Sequence, residues 1–123
     1  GRQYYWPNAR RLKNGRVTNA TQVVNYPIQG FATGDIVPLA CIRAFRLFKK
    51  HNLKSKLILT VHDSIVVDCH PDELTQVKKV LVEAMANVGE ELEQRFNYKL
   101  ILPLDIEIST GKNWLEQNEI PLA

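Results

Sequence analysis

Two apolar runs, residues 57–61 and 65–69, are separated by nothing more than His62-Asp63-Ser64. Each run is short and rich in β-branched side chains, so each reads as a buried strand. Two such strands with three residues between them read as an antiparallel hairpin. Its turn holds neither Gly nor Asn, the residues that usually supply the positive φ of a hairpin turn. A turn that disregards local chemistry marks a place where function overrides propensity.

The remaining pattern is mostly helical. Val77, Leu81, Ala84, Val88, Leu92 and Phe96 recur at steps of three and four, with Lys78, Lys79, Glu83, Glu90, Glu91 and Glu93 on the other faces. This predicts an amphipathic helix opened by His70-Pro71-Asp72, with Gly89 as the point where it could break. Ile36, Leu39, Ala40, Ile42, Phe45, Leu47 and Phe48 predict another helix reaching about His51. Pro38 either kinks it or stands in the first turn of its main part. A short helix capped by Thr18 or Asn19 is expected to run to about Asn25, with Pro27 and Gly30 interrupting it. Residues 3–6 read as a short strand stopped by Pro7-Asn8, and Asn14-Gly15 reads as a turn. Residues 104–109 alternate apolar and polar, as a half-buried strand does. The sum is an α+β unit, read as one domain over residues 1–123. Its small antiparallel sheet comprises the hairpin and the C-terminal strand, with helices on one face.

A chain of 123 residues, 45% hydrophobic, can bury one core. Its net charge of +3 hides a division. Eleven Lys and Arg face Asp35 alone in residues 1–56, whereas five face twelve acids in residues 57–123, giving halves of +10 and −7. A basic half of this kind suits a phosphate backbone, because neutralised phosphates release counterions; a solvated basic face is the plainer alternative. Cys41 and Cys69 fit no metal spacing and are read as reduced thiols rather than a disulfide. No apolar run approaches the roughly 20 residues of a membrane span. The opening residues have no apolar stretch of the secretory-signal kind. They lack an initiator Met, from which an upstream portion is expected.

The chemistry concentrates at the predicted hairpin tip. Apolar anchors on both strands would hold Asp63 with little freedom, where a divalent cation and a triphosphate could reach it. Phosphoryl transfer asks for positioned charge: two Mg²⁺ ions about 3.5–4 Å apart clamp the attacking and leaving oxygens. Mg²⁺ takes one or two carboxylates and fills its octahedron with water and phosphate. Asp63 is therefore half of such a site, and a second carboxylate is required. By itself, His-Asp-Ser is weak evidence, since a lone His-Asp pair on a turn is more often just a polar loop. An HD-type phosphohydrolase would need further His ligands, and only His51 and His70 remain. A serine hydrolase built on Ser64 lacks the flanking glycines.

Four segments give the tip a context. VHDSIVV at 61–67 resembles the third polymerase motif of family A DNA polymerases, the DNA polymerase I type, usually written VHDE. NYPIQG at 25–30 resembles that family's Asn, Pro, Gln and Gly at the same spacing. STGKNW at 109–114 resembles its closing Gly-x-Asn-Trp. Gly1-Arg2 with the following aromatics and Pro7 resembles the hairpin after its nucleotide-binding finger helix. The four occur in the family's order and cover nearly the whole chain. The wording of residues 25–40 is similar to the phage-type branch.

The resemblance implies a C-terminal segment of the polymerase palm. In it Asp63 would bind metal and His62 would approach the primer 3′ end. Asn25 and Gln29 would hydrogen-bond the duplex in its minor groove, where acceptors look alike for every base pair; capping of helix ends around Pro27 is their alternative. Arg10, Arg11, Lys13 and Arg16 are candidate phosphate contacts, and Trp114 is expected to pack rather than stack on a base. The implied cofactor is Mg²⁺, two ions in a complete site. The implied partners are primer–template DNA, deoxynucleoside triphosphates and an upstream polymerase portion, in the cytoplasm of a bacterium or phage-infected cell. Ser64 stands where the family has Glu; its hydroxyl could hold a metal-bound water but adds no charge. The Arg that the family often carries one turn before the Asn is also missing, since Ala20-Thr21-Gln22 occupy that turn. The first catalytic Asp, fingers and thumb have no counterpart in the chain, so the piece alone is expected to be inactive. A duplex-binding module without catalysis is the competing expectation.

Overall fold

A computed structural model describes residues 2–122; Gly1, part of the first resembling segment, lies outside the described residues. Helix α1 spans Ala20–Phe31 and passes through a π-helical turn, Ala32–Ile36, into α2, Val37–Lys50. Strands β1, Lys56–Val61, and β2, Ser64–Asp68, form the expected hairpin. A 3-10 turn, Pro71–Glu73, leads into α3, Leu74–Ala86, followed by α4, Val88–Phe96. Two short strands, β3 at Ser109–Gly111 and β4 at Gln117–Glu119, close the chain.

The core forms along α2. Ala44 and Phe48 meet Val77, Val80, Leu81 and Ala84 of α3, with Leu57 and Val67 of the hairpin packed alongside. One turn earlier, Leu39 and Ala40 meet Val88 and Leu92 of α4, with Leu100 and Leu104 against them. These are the apolar stripes of the sequence, and α2 carries both because its stripe faces two successive helices. An ion-pair network joins α2 to α4: Glu91, only 8% exposed, accepts from Arg95 and Arg46 and lies 3.5 Å from Arg43. The hydrogen bond from Arg95, with the charges of Arg95, Arg46 and Arg43, holds the Glu91 carboxyl below the usual carboxylate range.

Four expectations are corrected. Residues 3–6 form no strand, because their side chains lie along α1 instead. Trp6 meets the Tyr26 ring at 5.0 Å, and Arg2 donates to the Gly30 carbonyl at 2.6 Å and pairs with Asp35 at 2.8 Å. Gly30 leaves room for this approach, since a Cβ there would meet the Tyr4 hydroxyl and force that side chain to shift. Pro27 and Gly30 do not end the helix. Pro27 lies inside α1, and Arg2, from the segment laid along the helix, donates to the Gly30 carbonyl farther along. Neither Thr18 nor Asn19 caps α1 by its side chain: Thr18 accepts from Arg10 N–H, and Asn19, at φ 62°, donates its amide to Gln22. The 71–96 helix breaks at Asn87, two residues before Gly89, which lies within α4.

Pro38 stands in the first turn of α2, the second of the two expected placements. Just before it the backbone widens, and the Val37 N–H bonds to the Ala32 carbonyl, five residues back. Two features favour this. Thr33 donates its hydroxyl to the Gln29 carbonyl at 2.8 Å, and Pro38 brings no N–H of its own. Residues 104–108 keep the expected alternation, with Leu104, Ile106 and Ile108 half-buried, but only the C-terminal end of the expected 104–109 strand is paired: Ser109 opens β3 and the Ile108 carbonyl accepts from Ile120 N–H at 2.8 Å, whereas residues 104–107 pair with no strand among the described residues. The α+β class holds, with two two-stranded sheets in place of one continuous sheet.

Candidate active site

The hairpin ladder runs from Val61↔Ser64 at the tip to Lys56↔Asp68 at the base, with a bulge at Ile58 between Leu57↔Val67 and Leu59↔Val66. His62 and Asp63 are the two turn residues, and both are exposed. His62 takes φ 52°, a left-handed conformation that few non-glycine residues adopt. The hairpin therefore makes the positive-φ turn that its twist demands without the glycine that would ease it. Ser64 donates its hydroxyl to the Val61 carbonyl at 2.8 Å, which leaves its oxygen lone pairs outward as acceptors.

Asp63 and Ser64 border an open groove of about 1020 Å³ between β2 and residues 105–114, which Asp68 and Asp105 also line. Asp68 sits at the base of the ladder, opposite Lys56, and so belongs to the other end of the strand. Among the described residues no group of three His, Cys, Asp or Glu side chains could by itself hold a metal ion. Asp63 offers an ion one carboxylate, and Ser64 offers a hydroxyl acceptor for a bound water. His70, set aside above as a metal ligand, uses Nδ1 to accept from the Asp72 N–H at 3.4 Å and so caps the 3-10 turn.

Arg10, Arg11, Lys13 and Arg16 fall on a single exposed loop. The loop is pinched by the Arg11↔Val17 bridge and turns through Gly15 at φ 79°, where its N–H bonds to Leu12 O at 2.9 Å. It opens directly into α1, on which Asn25 and Gln29 stand four residues apart and therefore on one face, both exposed. Neither occupies a helix end: α1 continues to Phe31, so the capping alternative does not apply. Thr21 occupies the same row one turn before Asn25. Trp114 is 61% exposed and lines the groove, which corrects the expectation that it packs in a core. Both cysteines are free, as read from the sequence, and burial pushes the Cys41 thiol up.

Sequence reasoning missed Glu73 and Ser55. Glu73 accepts from Lys54 N–H and Ser55 N–H, each at 2.9 Å, and from Ser55 Oγ at 2.6 Å. These three bonds, led by that from Lys54 N–H, pull its pKa down to about 2. Nothing in the periodicity marks such a contact, because it joins residues 18 and 19 positions apart.

The family model described as DNA polymerase family A matches residues 1–116, and the chain belongs to that family. It is 38% identical over 93 residues to DNA polymerase I of Caldicellulosiruptor bescii, covering 76% of this chain and 10% of that protein. Over its full length it is 28% identical to DNA polymerase I of Chloroflexus aurantiacus, covering 12% of it. It is 37% identical over 95 residues to the DNA polymerase of Bacillus phage SP01, covering 76% of this chain and 10% of that one. The chain thus spans about a tenth of the length of these relatives. No solved structure gives a significant match. Among the described residues no helix is long and apolar enough to cross a membrane.

Proposed function

We propose that the chain is the C-terminal part of a polymerase palm, one domain of a larger assembly that adds deoxynucleotides to a primer 3′ end on a DNA template. The observation that carries this reading is the exposed carboxylate of Asp63 at the tip of a short, anchored hairpin, in a chain of DNA polymerase family A. Asp63 would hold Mg²⁺ jointly with an Asp of the preceding polymerase portion, Ser64 contributing through a water. In the complete two-ion site the metal would neutralise charge on the reacting phosphate oxygens. His62 would stand beside the primer end. Asn25 and Gln29 would reach the minor groove of the duplex, and the loop of Arg10, Arg11, Lys13 and Arg16 would hold its phosphates. Mg²⁺, deoxynucleoside triphosphates and primer–template DNA are the proposed ligands, and the cytoplasm of a bacterium or phage-infected cell is the proposed setting. The chain alone is proposed to be inactive.

The test is Mg²⁺-dependent primer extension by this chain together with the preceding part of a family A polymerase. Extension that needs both and falls at least about a hundredfold with Asp63→Ala, a loss of roughly 2.7 kcal/mol of transition-state stabilisation, supports the reading. A folded, associated mixture that binds duplex but never extends a primer would replace it with a non-catalytic DNA-binding module. Extension by this chain alone would overturn the proposed division of the site.

A further inference from the structure

The hairpin is fastened at its open end by one carboxylate. Ser55 immediately precedes β1, and His70 lies two residues beyond β2. The His70 N–H donates to Ser55 Oγ at 2.9 Å, and that hydroxyl donates to Glu73 Oε2 at 2.6 Å. Glu73 also accepts both backbone N–H groups of Lys54 and Ser55. The two strand ends are therefore joined through the hydroxyl of Ser55, a residue only 5% exposed. Both are tied to the 3-10 turn that starts α3, whose Val77 and Val80 are core residues.

We propose that Glu73 is a positioning residue for Asp63: it sets the angle at which the hairpin leaves the helical scaffold, and so where the tip carboxylate is delivered. This rests on the reading of Asp63 as the metal-binding carboxylate. The lever arm makes the effect large. A strand of six residues at about 3.3 Å each places the tip roughly 20 Å from the base, so a swing of about 3° moves Asp63 by about 1 Å. Misplacement by about 1 Å is enough to cost on the order of a hundredfold in rate. The bulge at Ile58 leaves the lower ladder irregular, so the register alone does not fix that angle.

The experiment uses the complete polymerase carrying this chain, with Glu73→Gln, Ser55→Ala and Asp63→Ala prepared in parallel. Steady-state primer extension gives kcat and nucleotide KM, DNA affinity is measured separately, and amide exchange is followed across residues 56–68. With Glu73→Gln, kcat is expected to fall by about ten- to a hundredfold while KM and DNA affinity stay within about threefold. Amide exchange should quicken at the base of the ladder. Ser55→Ala, which breaks the link to His70 but leaves both N–H bonds to Glu73, should lower kcat less, and it is the variant read if Glu73→Gln does not fold. An unchanged kcat in a folded variant whose ladder exchanges faster would overturn the proposal, since the clamp would then serve stability alone. Full activity of Asp63→Ala would instead overturn the underlying assignment of Asp63.

Discussion

Ser64 donates its hydroxyl to the Val61 carbonyl at 2.8 Å, so the hairpin is fastened across its tip immediately beside Asp63. At this position the family usually places a second acid. If Ser64 serves as a fastener, Ser64→Ala should lower stability by about 0.5–1 kcal/mol, the net value of one exposed hydrogen bond. Primer extension by the complete assembly should fall by about three- to tenfold, or roughly 0.65–1.4 kcal/mol, because the proposed water contact to the metal is lost with the hydroxyl. Urea denaturation and steady-state kinetics on the same preparation check both. An unchanged rate would remove Ser64 from the proposed site and leave it as a fastener alone.

His62 pays a conformational cost that glycine would avoid. His62→Gly should leave stability unchanged or raise it by up to about 1 kcal/mol, the left-handed penalty offset by glycine's greater unfolded freedom. Primer extension should fall, because the imidazole proposed to face the primer end is gone. A thermal melt compared with extension rates checks the opposite signs. A destabilised His62→Gly would mean that the imidazole, and not the turn geometry, holds the tip.

The loop of Arg10, Arg11, Lys13 and Arg16 predicts a salt dependence. If all four reach phosphates, they contribute about −3.6 to the slope of log K against log salt, at about −0.9 per contact. Arg10→Ala with Arg11→Ala should then flatten the slope by about 1.8 without changing sequence preference. Duplex binding measured across a salt series decides it, and an unaltered slope would return these residues to plain surface.

Glu73 predicts how stability depends on pH. Its folded pKa, about 2, lies below the ordinary 4.5 that it has in the unfolded chain. The clamp is therefore fully effective above about pH 5 and is lost as pH falls from there toward 2. Glu91 is shifted in the same direction by its arginines. Urea midpoints of the parent and Glu73→Gln, compared at successive pH values, should differ most above pH 5 and converge toward pH 2. A gap independent of pH would show that the carboxylate charge is not what the clamp uses.

The hairpin and the apolar stripes of α2, α3 and α4 were legible because local pattern and burial agree there. The continuity of α1 through Pro27 was not, because a proline is read as a helix stop; the segment 2–6 laid along the helix, held by the Arg2–Asp35 pair and the Trp6–Tyr26 contact, joins residues 20 or more positions apart and leaves no local pattern. The same contacts explain the missing strand at residues 3–6. Residues 104–107 showed the right alternation but pair with no strand among the described residues, because alternation reports which side is buried and not whether a neighbour is hydrogen-bonded. At the candidate site, the unusual turn composition marked the hairpin tip, whereas Asn25 and Gln29 were singled out by the family resemblance; the helix places both on one exposed face. The Glu73 clamp was invisible because a carboxylate bonded to backbone N–H groups leaves no trace in residue type.

The π-helical turn at Ala32–Ile36 works as an angular offset built into one continuous rod. It holds one residue more than a regular helical path would, and each residue of an α-helix turns the axis by about 100°. The exposed Asn25–Gln29 row and the buried stripe of Leu39, Ala40, Ala44 and Phe48 therefore owe their relative facing to that single additional residue. Removing one residue there would preserve every side chain of both rows and still swing one about a third of a turn away from the other. The number of residues between Gln29 and Val37 is thus as much a part of the molecule's specification as their identity.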